Sequence, residues 1–327
     1  MGKRKYTNNS QAVLIATLVI STAFVAMRYF ARYIKLKRIP FELEDIFIVL
    51  AVVSWAITAG MYLKVVSLFY DAADFQIAMM SGKVDLTTIT PADQMRMMEE
   101  GKLMLRLFFV IQIFFWTVLW CVKLSLMFQF KKLTKGAYYL FSPPSHPSSS
   151  LKKSSPNTNP STGIVLYERI WWGVLTFIIL TYIGSQVTNL TSCASWTERF
   201  DPAGCRSKTD LRNKDISLYF SLGCDLLTDI LIMAIPIQVL VHLRISTAEK
   251  ISVAFVFLVG IITMVAAIVR CVSLKGTGKE GGNLSVPWLI FWAAIECSIG
   301  MLPRPPFSLF RIFFSSRAIK LTNGKQS

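Results

Sequence analysis

The sequence predicts an all-α polytopic membrane protein, a bundle of seven transmembrane helices with its N-terminus outside. Three observations carry that expectation. Apolar runs recur along the chain, most near the roughly 20 residues needed to cross a bilayer. Charged residues make up only 17% of the 327 residues, against about 25% in an ordinary soluble domain. The basic excess, a net charge of +16, lies beside the apolar runs and forms no patch or nucleic-acid motif. It fits positive flanks to membrane helices, and it excludes nucleic acid as a partner.

Residues 1–10 read as a polar extracellular leader and 11–31 as the first span. Lys3, Arg4 and Lys5 precede that span as they would a signal peptide. The run nevertheless continues through Arg28, Tyr29, Phe30, Ala31 and Arg32 without a small-residue cleavage site. The second span is expected at 46–66, followed by an acidic connection at 67–102. The third is expected at 103–130, with Gln112, Trp116, Trp120 and Lys123 on one helical face. Lys123 is placed near the inner end of that span, where a lysine snorkels to lipid headgroups.

A basic stretch, Lys131 to Lys135, leads into a Ser/Pro-rich segment at about 142–163. Its composition cannot bury a core, so it reads as a disordered cytoplasmic loop. The fourth span is expected at 170–187. A loop at 188–215 carries Cys193 and Cys205 on either side of Trp196. The fifth span is 216–241, and the sixth, 251–273, follows a basic turn. The seventh, 286–302, is stopped by Pro303. The membrane domain thus covers 11–311, and residues 312–327 form a basic cytoplasmic tail.

The fifth span carries the chemistry. Asp225 and Asp229 lie four residues apart and share one helical face. They sit roughly 13 and 20 Å into the apolar run at about 1.5 Å per residue. Ionisable groups at that depth cost about 2.5 kcal/mol or more each, so they face the interior and mark function. Pro236 interrupts the same helix. Glu296 of the seventh span and Gln112 of the third are expected at similar depth, with no cation level with the carboxylates. Arg270 is expected near the outer edge.

Positive charge on the connections at 32–45, 131–169 and 242–250 makes their side cytoplasmic. Three glycosylation sequons, at Asn8, Asn189 and Asn283, all fall on the other side. Cys193 and Cys205 share that oxidising side, where a disulfide between them is expected. Cys121, Cys224, Cys271 and Cys297 lie in spans and read as small core residues. The two histidines, His146 and His242, lie outside the apolar runs. No metal site or cofactor is therefore expected.

The chain resembles the fungal rhodopsin-like integral membrane family, seven-helix proteins related to pathogenesis-linked receptors. The stretches that carry the resemblance are Glu44-Asp45-Ile46, Val122-Lys123-Leu124-Ser125-Leu126 and the Cys193–Trp196–Cys205 loop. Further matches are Asp225-Leu226-Leu227-Thr228-Asp229 with Ile235-Pro236-Ile237, the basic turn from Leu243 to Lys250, Arg270, and Ala294-Ile295-Glu296 with Gly300. The resemblance implies receptor-like topology and little chemistry. The Ser/Pro-rich segment is longer than the family's short turn, and the end of the seventh span is shorter than its pattern. A retinal Schiff base needs a lysine in the last helix, and residues 286–302 have none. No retinal is expected.

The expected function is that of a receptor-like sensor in the plasma membrane. It would take a small extracellular ligand and a cytoplasmic signalling partner. Asp225, Asp229, Glu296 and Gln112 are the candidate ligand or ion residues. The alternative is a proton- or ion-coupled transporter, or a membrane scaffold, using the same carboxylates. A structural hydrogen-bond network that locks helices together is the plainer role for them. No enzyme is expected: an aspartyl protease needs its two aspartates on facing helices, and here both lie on one.

Overall fold

The computed structural model describes residues 2–36, 42–81, 90–141, 160–202, 204, 205, 207–242, 247–276 and 286–301. Among them are seven α-helices and no strand. The helices are α1 (Gly2–Leu36), α2 (Leu43–Met80), α3 (Pro91–Phe141), α4 (Pro160–Leu190), α5 (Lys208–His242), α6 (Thr247–Gly276) and α7 (Val286–Gly300). A 3-10 turn, Glu198–Phe200, lies in the loop before α5.

Each helix stands where an apolar run predicts one, but most are longer. Residues 2–10, expected as a polar leader, are helical and lengthen α1. The acidic connection expected at 67–102 is mostly helix, split between α2 and α3. Apolar patterning marks only the lipid-thick part of a helix. A polar continuation without an interior proline extends it, because adding a residue to an existing helix is favourable. Thr90 and Pro91 set the start of α3. The Thr90 Oγ1 accepts from Asp93 N at 3.3 Å, and Asp93 Oδ2 accepts from Thr90 N at 3.2 Å. That reciprocal pair is a capping box, with proline at the first helical position.

Consecutive helices pack side by side, and α1 packs against α7, which closes a ring. α3 also touches α5 and α7, and so runs through the middle. Its indoles are stitched to α4. Trp120 Nε1 donates to Ile178 O at 3.0 Å, and Trp171 Nε1 donates back to Met127 O at 3.0 Å. The outer faces carry large exposed apolar residues, such as Val19, Val53, Leu180, Leu258 and Val265. Contiguous apolar surface of this kind is what a lipid-facing wall presents. Among the described residues, α2 to α6 are long and apolar enough to cross a bilayer, and α1 and α7 carry shorter apolar stretches.

The Ser/Pro-rich segment falls almost wholly outside the described residues, except that residues 160–163 open α4. The basic tail and Asn283 also lie outside them, as do the side chains of Asn8 and Pro236.

Candidate functional site

The buried face of α5 is Ser221, Asp225, Thr228, Ile232 and Ile235. These positions recur at three and four residues, one stripe of a helix. Asp225 is on the stripe as expected, and Asp229 flanks it with its side chain 15% exposed. The stripe meets Lys123 of α3. Lys123 Nζ lies 2.7 Å from Asp225 Oδ1, 2.7 Å from Asp225 O, 2.8 Å from Thr228 Oγ1 and 3.0 Å from Asp229 Oδ1. An ammonium has three N–H donors, so four oxygens at this range saturate it. The Trp120 ring, 5.3 Å away, adds a cation–π face.

Lys123 therefore does not snorkel to headgroups. Two features prevent it. α3 does not end near residue 130 but runs on for about 27 Å beyond Lys123. And α3 is central, so its neighbours from Val118 to Val122 and from Ser125 to Met127 are buried on every side. No path to lipid is left, and the charge is met inside. The expectation that no cation lies level with the aspartates is corrected by this contact.

A second pair lies nearer the start of α3. Arg270 of α6 and Glu296 of α7 are both buried, with Nε 3.1 Å from Oε2. The atoms are close enough for an ion pair but not aligned for a hydrogen bond, and neither has a hydrogen-bond partner. The guanidinium lies 4.5 Å from the Phe115 ring and 5.2 Å from Trp116. That contact sets it about 10 Å along α3 from Lys123. Arg270 is thus buried between the helices at a different level from Lys123. Glu296 is within electrostatic reach of Lys123, Asp225 and Asp229, and Tyr62 of α2 is within reach of Arg270 and Glu296. Five helices contribute to one buried cluster of three carboxylates, two cations and a phenol.

Gln112 is not part of the aspartate group. It is half-buried and shares the face of Lys123, but three turns nearer the start of α3, about 16 Å along the axis. It lies one turn beyond Trp116, on the side of the Arg270 pair. Lys123, Thr228, Arg270 and Tyr62 were missed as site residues. For Lys123 a signal was present: it shares one face with Trp116 and Trp120, both buried.

A further ion cluster joins the start of α2 to α3. Lys132 pairs with Glu42 and lies 3.5 Å from Glu44, whose side chain is fully buried. Tyr29 of α1 donates to Asp45 O at 3.1 Å.

At the other end of the helices, Cys193 and Cys205 are disulfide-bonded, with Cα atoms 5.7 Å apart. Cys205 has φ 53°, in the left-handed region that favours glycine. Trp196 is 58% exposed and stands edge-on to Phe109 of α3. Arg199 donates from Nη1 to Asn189 O at 3.1 Å and from Nη2 to Leu190 O, which caps the end of α4. The Asn189 side-chain nitrogen is buried without a hydrogen-bond partner.

The residues do not fit a retinal Schiff base. α7 has no lysine, and the Nζ of Lys123, the buried lysine among the described residues, is already surrounded by four oxygens. No curated protein and no solved structure matches the chain. Residues 164–303 match the fungal rhodopsin domain. The match runs from α4 to α7, and with five described helices long and apolar enough to cross a bilayer it is consistent with a fungal rhodopsin-like integral membrane protein.

Proposed function

We propose that the chain is a receptor-like sensor, not an enzyme, that crosses the plasma membrane seven times with its N-terminus outside. A small extracellular ligand acts on the bundle, and a cytoplasmic partner reads the result. The observation that carries this reading is the clasp on Lys123. The two aspartates are already filled by a cation of the protein itself. A passing ion would first have to displace it. A clasp between the central helix and α5 suits a two-position element, closed or released, which is what a switch needs. Pro236, without an N–H donor, loosens α5 about two turns beyond Asp229. The disulfide in the 191–207 loop supports an oxidising, outer side for that end of the bundle.

A second reading rests on the charge count. Three buried carboxylates face two cations. Uncompensated buried charge is costly, so the excess favours uptake of one proton, as in a proton-coupled carrier.

Cells carrying the wild type or the Asp225→Asn/Asp229→Asn double variant are screened with nutrients and small molecules. Second-messenger level and substrate uptake are read together. The sensor reading expects a second-messenger response that the double variant loses at normal surface level, with no uptake. Uptake that follows external pH would move the chain to the carrier reading. An unchanged response in the double variant would remove the clasp from the mechanism.

A further inference from the structure

We propose that the crosslinked loop between α4 and α5 is seated in the headgroup zone of the bilayer, with Trp196 as its anchor and zwitterionic phospholipid as its partner. The level of the loop follows from the pairing of α3 with α4. Trp171 meets Met127 O at 3.0 Å, Tyr182 meets Thr117 at 3.0 Å, and Gln186 meets Ile113 O at 3.3 Å. Continued by one turn, the same pairing sets Leu190, the end of α4, level with Phe109.

The opposite boundary of the bilayer is marked independently. Trp172 of α4 is exposed, and Lys131 Nζ stands 4.9 Å from its ring. An exposed indole beside a lysine is what a membrane interface selects. Leu190 lies 18 residues further along the same helix, about 27 Å away. Between the two, Ile179, Leu180, Ile183 and Val187 are exposed, as on a lipid-facing wall. The hydrocarbon core is about 30 Å thick. Leu190 and Phe109 therefore stand where hydrocarbon gives way to headgroups.

The loop does not rise away from that boundary but folds back onto it. Trp196 and Phe200 both stand edge-on to Phe109, with ring centroids at 6.1 and 5.7 Å. Arg199 lies 5.1 Å from the Phe109 and Trp196 rings, while its terminal nitrogens hold the end of α4. Trp196 stays mostly exposed at this level. An indole has an apolar body and one N–H donor, which suits a zone that is hydrocarbon on one side and wet on the other. Arg106 is exposed three residues before Phe109, about 4.5 Å further from the hydrocarbon, at the depth of lipid phosphate. Glu198 and Asp201 are exposed on the same loop and disfavour an anionic surface, so a headgroup carrying both charges fits. The inference goes beyond the receptor reading: whatever the chain does, lipid covers Trp196, and a soluble ligand does not.

The test uses full-length protein labelled with fluorotryptophan in phosphatidylcholine nanodiscs. The fluorine signal of Trp196 is assigned by its loss in Trp196→Phe. If that variant does not fold, Phe109→Leu, which removes the ring beside Trp196, assigns the signal by its shift. A lipid carrying a nitroxide near its glycerol backbone should broaden the Trp196 signal several times more than an aqueous gadolinium chelate does. Trp172 should behave in the same way, and the buried Trp55 and Trp120 should be broadened less by both agents. Broadening of Trp196 by the chelate equal to or above that by the lipid would place the ring in water and overturn the proposal. Replacing phosphatidylcholine by anionic phosphatidylglycerol should reduce the broadening by lipid; an increase would overturn the choice of a zwitterionic partner.

Discussion

Lys123 and Asp225 are paired at 2.7 Å, with side chains only 5% and 4% exposed, although they lie two helices apart in the chain. The contact joins the central helix to α5 at a depth where water does not reach either group. Removing one partner of such a pair strands the other charge, and the stranded charge dominates the energetics.

Lys123→Met keeps the volume and removes the charge. Two aspartates then face no cation at their level. The expected cost is about 3–5 kcal/mol, the range for breaking a buried pair. Thermal unfolding in detergent should show a large drop for Lys123→Met. The triple variant with Asp225→Asn and Asp229→Asn should recover most of it. A triple variant as unstable as the single one would show that Lys123 acts through packing alone.

The charge excess makes the two aspartates unequal. Asp229→Asn leaves two carboxylates against two cations, while Lys123 keeps its contacts to Asp225 and Thr228. It should change stability by less than about 1 kcal/mol, as for a flanking group whose charge is not needed for balance. Asp225→Asn weakens the shortest contact to Lys123 and should cost more. The order of the two midpoints decides the matter, and a reversed order would make Asp229 the principal partner.

The disulfide loop should be a separate point of failure. Cys193 and Cys205 are 12 residues apart, and a loop of that size gains about 3 kcal/mol from its crosslink in chain-entropy terms. Cys193→Ser/Cys205→Ser should lower the midpoint accordingly. Gly204→Ala should also destabilise the loop, by about 1–3 kcal/mol as in overpacking, because its Cβ meets the backbone carbonyl oxygen of Glu198. A peptide map of unreduced Gly204→Ala checks that the crosslink itself still forms.

Orientation has a direct measurement. A tag after Ser327 should be reached by antibody only in permeabilised cells, and one before Met1 in intact cells. Staining of the C-terminal tag in intact cells would overturn the seven-crossing topology or its direction.

The helices and the inward turn of Asp225 were legible because each follows from local spacing, and the crosslinked loop because both cysteines fall on the side read as oxidising. The sequence did not show what the carboxylates touch. Lys123 was misread because hydropathy sees where a helix leaves lipid, not where it ends, and α3 continues as polar helix to Phe141. Arg270 and Glu296 pair through the relative rotation of α6 and α7, which no single helix pattern contains. Gln112 shares the lysine's face, but helical phase gives direction and not level.

α3 has 51 residues, roughly 76 Å of rod through a hydrocarbon layer about 30 Å thick. Lys123 is clasped partway along, with an arm of about 48 Å to Pro91 and about 27 Å to Phe141. A lever pinned there has unequal arms. A tilt of about 4° would swing the long end by ~3 Å and the short end, beyond Lys132, by ~2 Å in the opposite direction. Movement at the Pro91 end would thus reach the Glu42–Lys132 contact, about 14 Å from Lys123, reduced to less than a third, reversed in sign, and without any change in the length of the helix.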